Sequence, residues 1–260
     1  MRALPILRSA LVFAALCTAA YAPAQVAHPA YEPAIGQEGK DVVWVPTPDA
    51  LVEKMLDMAK VTPGDYVMDL GSGDGRTVIA AARRGARALG VEYNAEMVEL
   101  SRQNAEQAGV GARTRFVKAD LFEMDHSQAT VITMFLLPEI NLRLRPKILG
   151  LKPGTRVVSN TFTMGEWKAD ETATIDNDAG CDASWCTAHL WIVPARVAGT
   201  HKLAQGELTL KQSFQMLSGT LRADGRTVAV TGKVRGQDIT ITTGRREYAG
   251  RLNGGRLELR

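Results

Sequence analysis

Two textures of apolar and polar positions run along this chain. Up to about Val193, short apolar runs alternate with stretches of helical spacing. The runs "YVMDL", "ALGVE", "TRFVKAD", "TVITMFLL" and "TRVVSNTF" read as strands. The first helix is expected within "WVPTPDALVEKMLDMAK", where Leu51, Val52, Met55 and Leu56 share one face. Thr47 is placed to cap it, Pro48 to open it and Asp49 to sit at its positive end. A second helix spans Gly75 to Arg84 and stops at Gly85, and a third, "AEMVELSRQNAEQAG", stops at Gly109. A fourth runs from Pro138 to Leu149, with Pro146 expected to bend it. Strands and helices alternating at this spacing predict a parallel sheet with helices on both faces.

After Phe162 the texture changes. "ETATID" and "TAHLWIV" read as two more strands around a polar loop, which brings the expected sheet to seven. Beyond Val197 helical spacing disappears. "ELTLKQSFQML", "GTLRA", "RTVAVTGKV", "DITITT", "REYAGRL" and "RLELR" read as short strands, with turns at "ADG", "RGQ" and "NGG". The predicted fold class is therefore α/β: a Rossmann-like, mostly parallel seven-stranded sheet, followed by a small antiparallel β domain, a meander or partial barrel. The boundaries fall at residues 1–24 for a leader, 25–40 for a linker, 41–194 for the α/β domain and 195–260 for the β domain.

Charge sharpens that division. Gln25 to Pro194 carries net −6 and Ala195 to Arg260 net +7, within an overall +3. The overall value is too mild to point to nucleic acid, and no nucleic-acid partner is expected. The leader shows the order of a secretory signal: Arg2 and Arg8, the apolar "SALVFAALCTAAYA", then small residues up to Ala24. Export to the periplasm or beyond is expected, with an uncleaved membrane anchor as the alternative; after removal of the leader no spanning segment is left. Cleavage would remove Cys17 and leave Cys181 and Cys186 in "CDASWC", a spacing that allows a disulfide without requiring it. No metal site is expected, since two thiols without nearby histidines do not complete a ligand set.

Candidate chemistry starts at "VMDLGSGDGRTVIAA", Val67 to Ala81. The turn holds Asp69, Gly71, Ser72, Gly73 and Gly75, and Arg76 stands where a dinucleotide fingerprint has its third glycine. Asp69 and Asp74 would repel a pyrophosphate at the helix N-terminus. S-adenosylmethionine, with a sulfonium, an ammonium and no phosphate, fits better. Asp69 would face its cationic end, and the glycines would let the backbone approach. Glu92, ending the second strand, would accept from both ribose hydroxyls, and Asp120, ending the third, from the adenine amino group. All three acids lie at carboxyl ends of adjacent strands, where open α/β sheets bind ligands.

These motifs, with "VPTP…ML", "GVE", "DLF", "FLLPEINLRLRPKIL" and "PGTRVVSNTF", resemble class I, seven-strand methyltransferases. More narrowly they are similar to the non-SET lysine methyltransferases of mitochondrial type and their bacterial relatives. The resemblance covers Val45 to Val193 and not the β tail. It implies a class I methyltransferase domain over 41–194, S-adenosylmethionine as cofactor, and a Val45–Pro48 segment that closes over it, bringing Thr47 into contact. Leu121 joins the expected cofactor residues. Asn160 stands where the family pattern has histidine.

Methyl transfer needs alignment more than a catalytic acid or base, and no catalytic residue is assigned. A lysine acceptor must first lose a proton, its free pKa being about 10.4; an apolar channel favours that loss. "MFLLPE" suits such a channel, and Phe135, Pro138, Asn160 and Trp167 are candidate acceptor-lining residues. The motif lacks the Asn/Asp-Pro-Pro-aromatic pattern of methylases acting on base or glutamine amino groups. Glu139 alone does not make a catechol-type metal site. Three readings stay open: transfer to a nitrogen such as a protein lysine, a small-molecule methyltransferase, and a non-catalytic envelope binding protein that keeps the cofactor fold. The last follows from the leader, because the cofactor is made in the cytosol. The sequence leaves the oligomeric state open.

Overall fold

The computed structural model describes residues 31–176, 181, 184–204 and 206–259. The expected leader, Cys17 and the first part of the expected linker lie outside the described residues.

Among the described residues, four α-helices and fourteen strands follow in chain order. The first half runs α1 (Asp49–Met58), β1 (Tyr66–Leu70), α2 (Arg76–Arg83), β2 (Arg87–Glu92), α3 (Ala95–Gln107), β3 (Thr114–Lys118), β4 (Val131–Met134), α4 (Pro138–Leu149), β5 (Arg156–Asn160), β6 (Glu171–Thr174) and β7 (Thr187–Ile192). The strand order is β3-β2-β1-β4-β5-β7-β6. β1 to β5 are mutually parallel, and β7 runs antiparallel to both β5 and β6. The order reverses between β1 and β4, which places a crevice at their carboxyl ends.

Strand alternation builds the two faces. Val67, Val131 and Val158 pack with α1, α2 and α3, through Leu51, Leu56, Val78 and Val98. Their neighbours Met68, Ile132 and Val157 pack with α4, through Ile140, Leu144 and Ile148. Adjacent side chains on a strand point to opposite faces, so these runs must be apolar throughout. The second face carries one helix; the β3–β4 connection has none, and Leu121, Phe122 and Met124 cover that area instead. Pro146 lies inside α4, and the helix continues past it to Leu149. Thr47 does not cap α1. Pro48 takes the cap position without a side-chain hydrogen bond.

The second half is a seven-stranded antiparallel meander, β8 (Gly199–Leu203), β9 (Gly206–Ser213), β10 (Met216–Ala223), β11 (Arg226–Arg235), β12 (Asp238–Thr243), β13 (Arg246–Asn253) and β14 (Arg256–Leu259). Each strand pairs with the next, and β14 returns alongside β8 in a nearly barrel-like arrangement. Leu208, Leu210, Leu217, Val230, Val234, Ile239, Ile241 and Leu257 form its core. β8 was not among the expected strands, and "ELTLKQSFQML" is a hairpin rather than one strand. Its turn is at Phe214, which holds a left-handed φ of 53°.

Glu32 to Arg260 forms one compact unit, and the meander docks on the α/β sheet by specific contacts. Lys233 Nζ lies 2.8 Å from Asp170, whose side chain is 1% exposed. Arg235 pairs with Glu171. Phe214 stacks on Trp167 at a centroid distance of 6.2 Å, and Gln215 donates to the Lys168 carbonyl. Opposite charges thus meet where the basic tail joins the acidic sheet. Among the described residues no helix is long and apolar enough to cross a membrane.

Candidate active site

The turn after β1 is fixed by backbone bonds to β2. Gly71 and Ser72 N–H groups donate to the Val91 carbonyl at 2.9 and 3.1 Å. Gly71, Gly73 and Gly75 all adopt left-handed φ, at 77°, 52° and 85°, a region open to glycine at little cost. A Cβ at Gly73 would stand 2.5 Å from Trp44 Nε1, so the indole rests directly on the turn. A Cβ at Gly75 would meet Phe116 and Ser101 at 2.9 Å. That glycine therefore permits α2 and α3 to close up behind the turn.

A cavity opens at the carboxyl ends of β1, β2 and β4. Its walls surround about 1030 Å³ of empty space, a figure that includes open solvent at the mouth. Of the expected cofactor residues, Thr47, Asp69, Gly71, Ser72, Gly73, Glu92, Asp120 and Leu121 line it, and Gly75 does not. Of the expected acceptor residues only Phe135 lines it. Pro138 is exposed at the start of α4. Asn160 is fully buried and reaches the site indirectly, its Nδ2 donating to Thr47 Oγ1 at 3.3 Å. Trp167 is a correction. It is fully buried between Trp191 and Phe214, walled off by the β meander.

The acids differ in state. Asp69 is buried and accepts from Thr133 Oγ1 at 2.7 Å, its neighbour in register on β4. Burial first, then the charges of Asp74 and Glu92, push its carboxyl up to about 7 against the pull of Thr133. Asp74 turns away into a bidentate pair with Arg76, which also donates to the Thr47 carbonyl at 3.0 Å. Its charge is thus already balanced locally. Glu92 Oε1 accepts from the N–H groups of Tyr93 and Asn94, and Oε2 from Gly73 at 3.0 Å. With two acceptor positions per oxygen, Oε2 keeps one for a ligand and Oε1 is filled. Asp120 accepts from Lys40 Nζ at 2.8 Å and from the Phe122 N–H at 2.9 Å. The Lys40 bond holds that carboxyl below the usual range.

Of the residues that close the cavity from above, the family resemblance pointed only to Val45–Pro48, and residues 37–44 were missed. Gln37 to Val45 lines it, folded back by the bonds between Gly36 or Gln37 and Trp44. Lys40, assigned to a linker, spans from Asp120 toward the Tyr93 ring at 5.3 Å. Tyr93, Asn94, Met97, Leu136 and Ile140 complete the wall.

A family model described as the ANTKMT methyltransferase domain matches residues 69–171. A protein-lysine N-methyltransferase of Saccharolobus islandicus is 46% identical over 139 residues, which is 52% of this chain and 86% of that protein. The chain belongs to this family of S-adenosylmethionine-dependent methyltransferases. The adenine nucleotide translocase lysine N-methyltransferase of Mus musculus is 38% identical over 45% of this chain and 52% of its own length. A crystal structure described as an RNA methyltransferase from Salinibacter ruber, with S-adenosyl-L-homocysteine bound, is 45% identical with TM-score 0.54, covering 59% of this chain and 96% of that one.

The cofactor of the methyltransferase is S-adenosylmethionine, and the cavity suits it. Asp69 and Glu92 offer negative charge to a cationic ligand, and among the described residues no basic side chain neutralises Asp69. Ser72 Oγ, on the wall, is buried with no hydrogen-bond partner among the described residues. Among those residues no cluster of His, Cys, Asp or Glu could hold a metal ion. Cys181 and Cys186 form a disulfide, with Cα atoms 5.9 Å apart.

Proposed function

We propose that this methyltransferase transfers a methyl group to an amine nitrogen, the ζ-nitrogen of a lysine in a partner protein. The observation that carries this reading is the apolar wall at the end of β4. Met134, Phe135, Leu136 and Ile140 line the cavity there, and no Asn or Asp precedes the proline as base-amino methylases require. Such a wall disfavours the ammonium form of an entering lysine and so exposes its lone pair. The lysine-methylating relative that is 46% identical supports the same acceptor.

When bound, S-adenosylmethionine supplies a methyl group already activated for transfer. The chain's own residues bind and align. Asp69 would meet the cationic end, Gly71, Ser72 and Gly73 would let the backbone approach, Glu92 would hold the ribose, and Asp120 with Leu121 would border the adenine. Thr47, fixed by Asn160 and Arg76, closes the site from above. Gly75 acts from behind, through the packing of α2.

Incubating the full chain with methyl-labelled cofactor and a cell-envelope extract tests the proposal. Label should enter the protein fraction and be recovered as methyl-lysine after hydrolysis. Label confined to RNA or to small molecules would overturn it. We also propose that the protein works outside the cytosol with Gln25 as first residue. The Cys181–Cys186 disulfide supports an oxidising compartment. Sequencing that finds Met1 on membrane-bound protein would assign the anchor instead.

A further inference from the structure

A cluster of three aromatic rings runs outward from the cofactor cavity. Phe135, at the end of β4, lines the cavity. Its ring centroid is 6.0 Å from that of Phe162, just past β5, and 6.1 Å from that of Trp185, in the loop before β7. Phe162 and Trp185 are 5.7 Å apart. Phe135 and Phe162 are half-buried, and Trp185 is 37% exposed. Rings this close touch one another, so they make a continuous wall rather than an open box. The wall begins inside the cofactor cavity and ends at the surface.

Trp185 is anchored through its neighbour Cys186. It immediately precedes Cys186, which is bonded to Cys181, and the Cys186 carbonyl accepts from the Ile175 N–H at 2.9 Å. Burial alone does not require this indole here, since more than a third of it faces solvent. Its position next to Phe162 does extend the aromatic face outward from the cavity.

We propose that Phe135, Phe162 and Trp185 form the acceptor-binding wall, taking the alkyl stem and ammonium of a lysine or similar primary alkylamine. The inference rests on the amine reading given above. At neutral pH a lysine arrives charged, with a free pKa of about 10.4. Aromatic faces attract such a cation, and their carbons pack against its methylenes. The amine is guided along the wall toward Phe135, where the surroundings become apolar and the neutral form is favoured. The Cys181–Cys186 bond fixes the outer end of the track.

Nitrogen-15 labelling of the indoles of the full chain gives a direct test. The four tryptophans are Trp44, Trp167, Trp185 and Trp191. With S-adenosyl-L-homocysteine filling the cofactor site, n-butylammonium should shift the Trp185 signal saturably, and 1-butanol should do so far less. The buried Trp167 and Trp191 signals should stay put. In methyl transfer to a lysine peptide, Trp185→Ala should raise KM about tenfold and leave cofactor Kd within twofold. Trp185→Phe should recover most of the loss, and Cys181→Ser with Cys186→Ser should raise KM in the same direction. An unmoved Trp185 signal, or a Trp185→Ala enzyme with wild-type KM, overturns the proposal. If butylammonium binds at Trp185 but the wild type methylates no lysine, the wall stands as an alkylamine site and the lysine function falls.

Discussion

Replacing Asp69 by Asn should make the protein more stable and a poorer enzyme. The carboxyl is buried and lies near Asp74 and Glu92, and burial above all lifts its pKa from 3.8 to about 7. Each pKa unit is worth about 1.36 kcal/mol, so ionising Asp69 in the fold costs on the order of 4 kcal/mol more than in the unfolded chain. The sign follows from the raised value. The group's stabilising contribution is complete below pH 3.8 and is lost as pH rises through about 7. Asn cannot ionise and keeps an oxygen for Thr133. At pH 8 the variant should be more stable by roughly 2–4 kcal/mol, a Tm gain of about 5–10 °C for a chain of this size. Below pH 3.8 the two proteins should melt alike. Cofactor binding should run the other way. A cation beside Asp69 favours its ionised form, so wild-type affinity should rise between pH 5.5 and 7, where the cofactor's own amine, with pKa about 7.7–8.0, stays protonated. Titration calorimetry at pH 6.5 in two buffers of different ionisation enthalpy should find most of one proton released per cofactor bound. The Asn variant should release none and bind about 10–100-fold more weakly. An Asn variant no more stable at pH 8, or wild-type binding without proton release, would refute the reasoning.

Three further perturbations probe other parts of the site. Glu92→Gln should weaken cofactor binding by about 1–3 kcal/mol in calorimetry, because the amide NH2 meets the backbone N–H groups that the carboxylate now accepts from. Gly73→Ala places a methyl on Trp44 at a left-handed φ; it should destabilise by about 1–3 kcal/mol and quench or shift Trp44 fluorescence. Lys233→Met leaves Asp170 buried without its cation, which should lower stability by about 1–3 kcal/mol in denaturant melts while cofactor affinity holds. Any of these variants behaving as wild type would remove the contact it tests from the account.

The turn after β1 was readable because each of its features has a local cause. Left-handed φ at Gly71, Gly73 and Gly75 calls for glycine, and a strand buried on both faces calls for an unbroken apolar run. The acids at the strand ends were readable for the same reason, and Asp69, Glu92 and Asp120 do meet at one cavity. Beyond Val45–Pro48 the cover was not readable. Lys40 and Trp44 sit in a stretch without periodicity, and their placement depends on Asp120 and Gly73, far along the chain. Trp167 misled because a lone tryptophan in a polar loop looks like a pocket residue; the ring that buries it, Phe214, belongs to the β meander. The turn at Phe214 escaped notice because it has a left-handed φ without glycine or asparagine. Asp74 was read as a repulsive charge facing the ligand, and the structure pairs it with Arg76 two residues on.

The most direct measurement is the position of the transferred methyl group. The full chain, S-adenosylmethionine carrying a heavy methyl, and envelope protein would be incubated together, and the modified peptides fragmented by mass spectrometry. The account predicts heavy methyl on lysine ζ-nitrogens, reduced at limiting cofactor when Glu92 is replaced by Gln. Heavy methyl on another atom type, or none on protein while RNA or a small molecule carries it, would contradict the account.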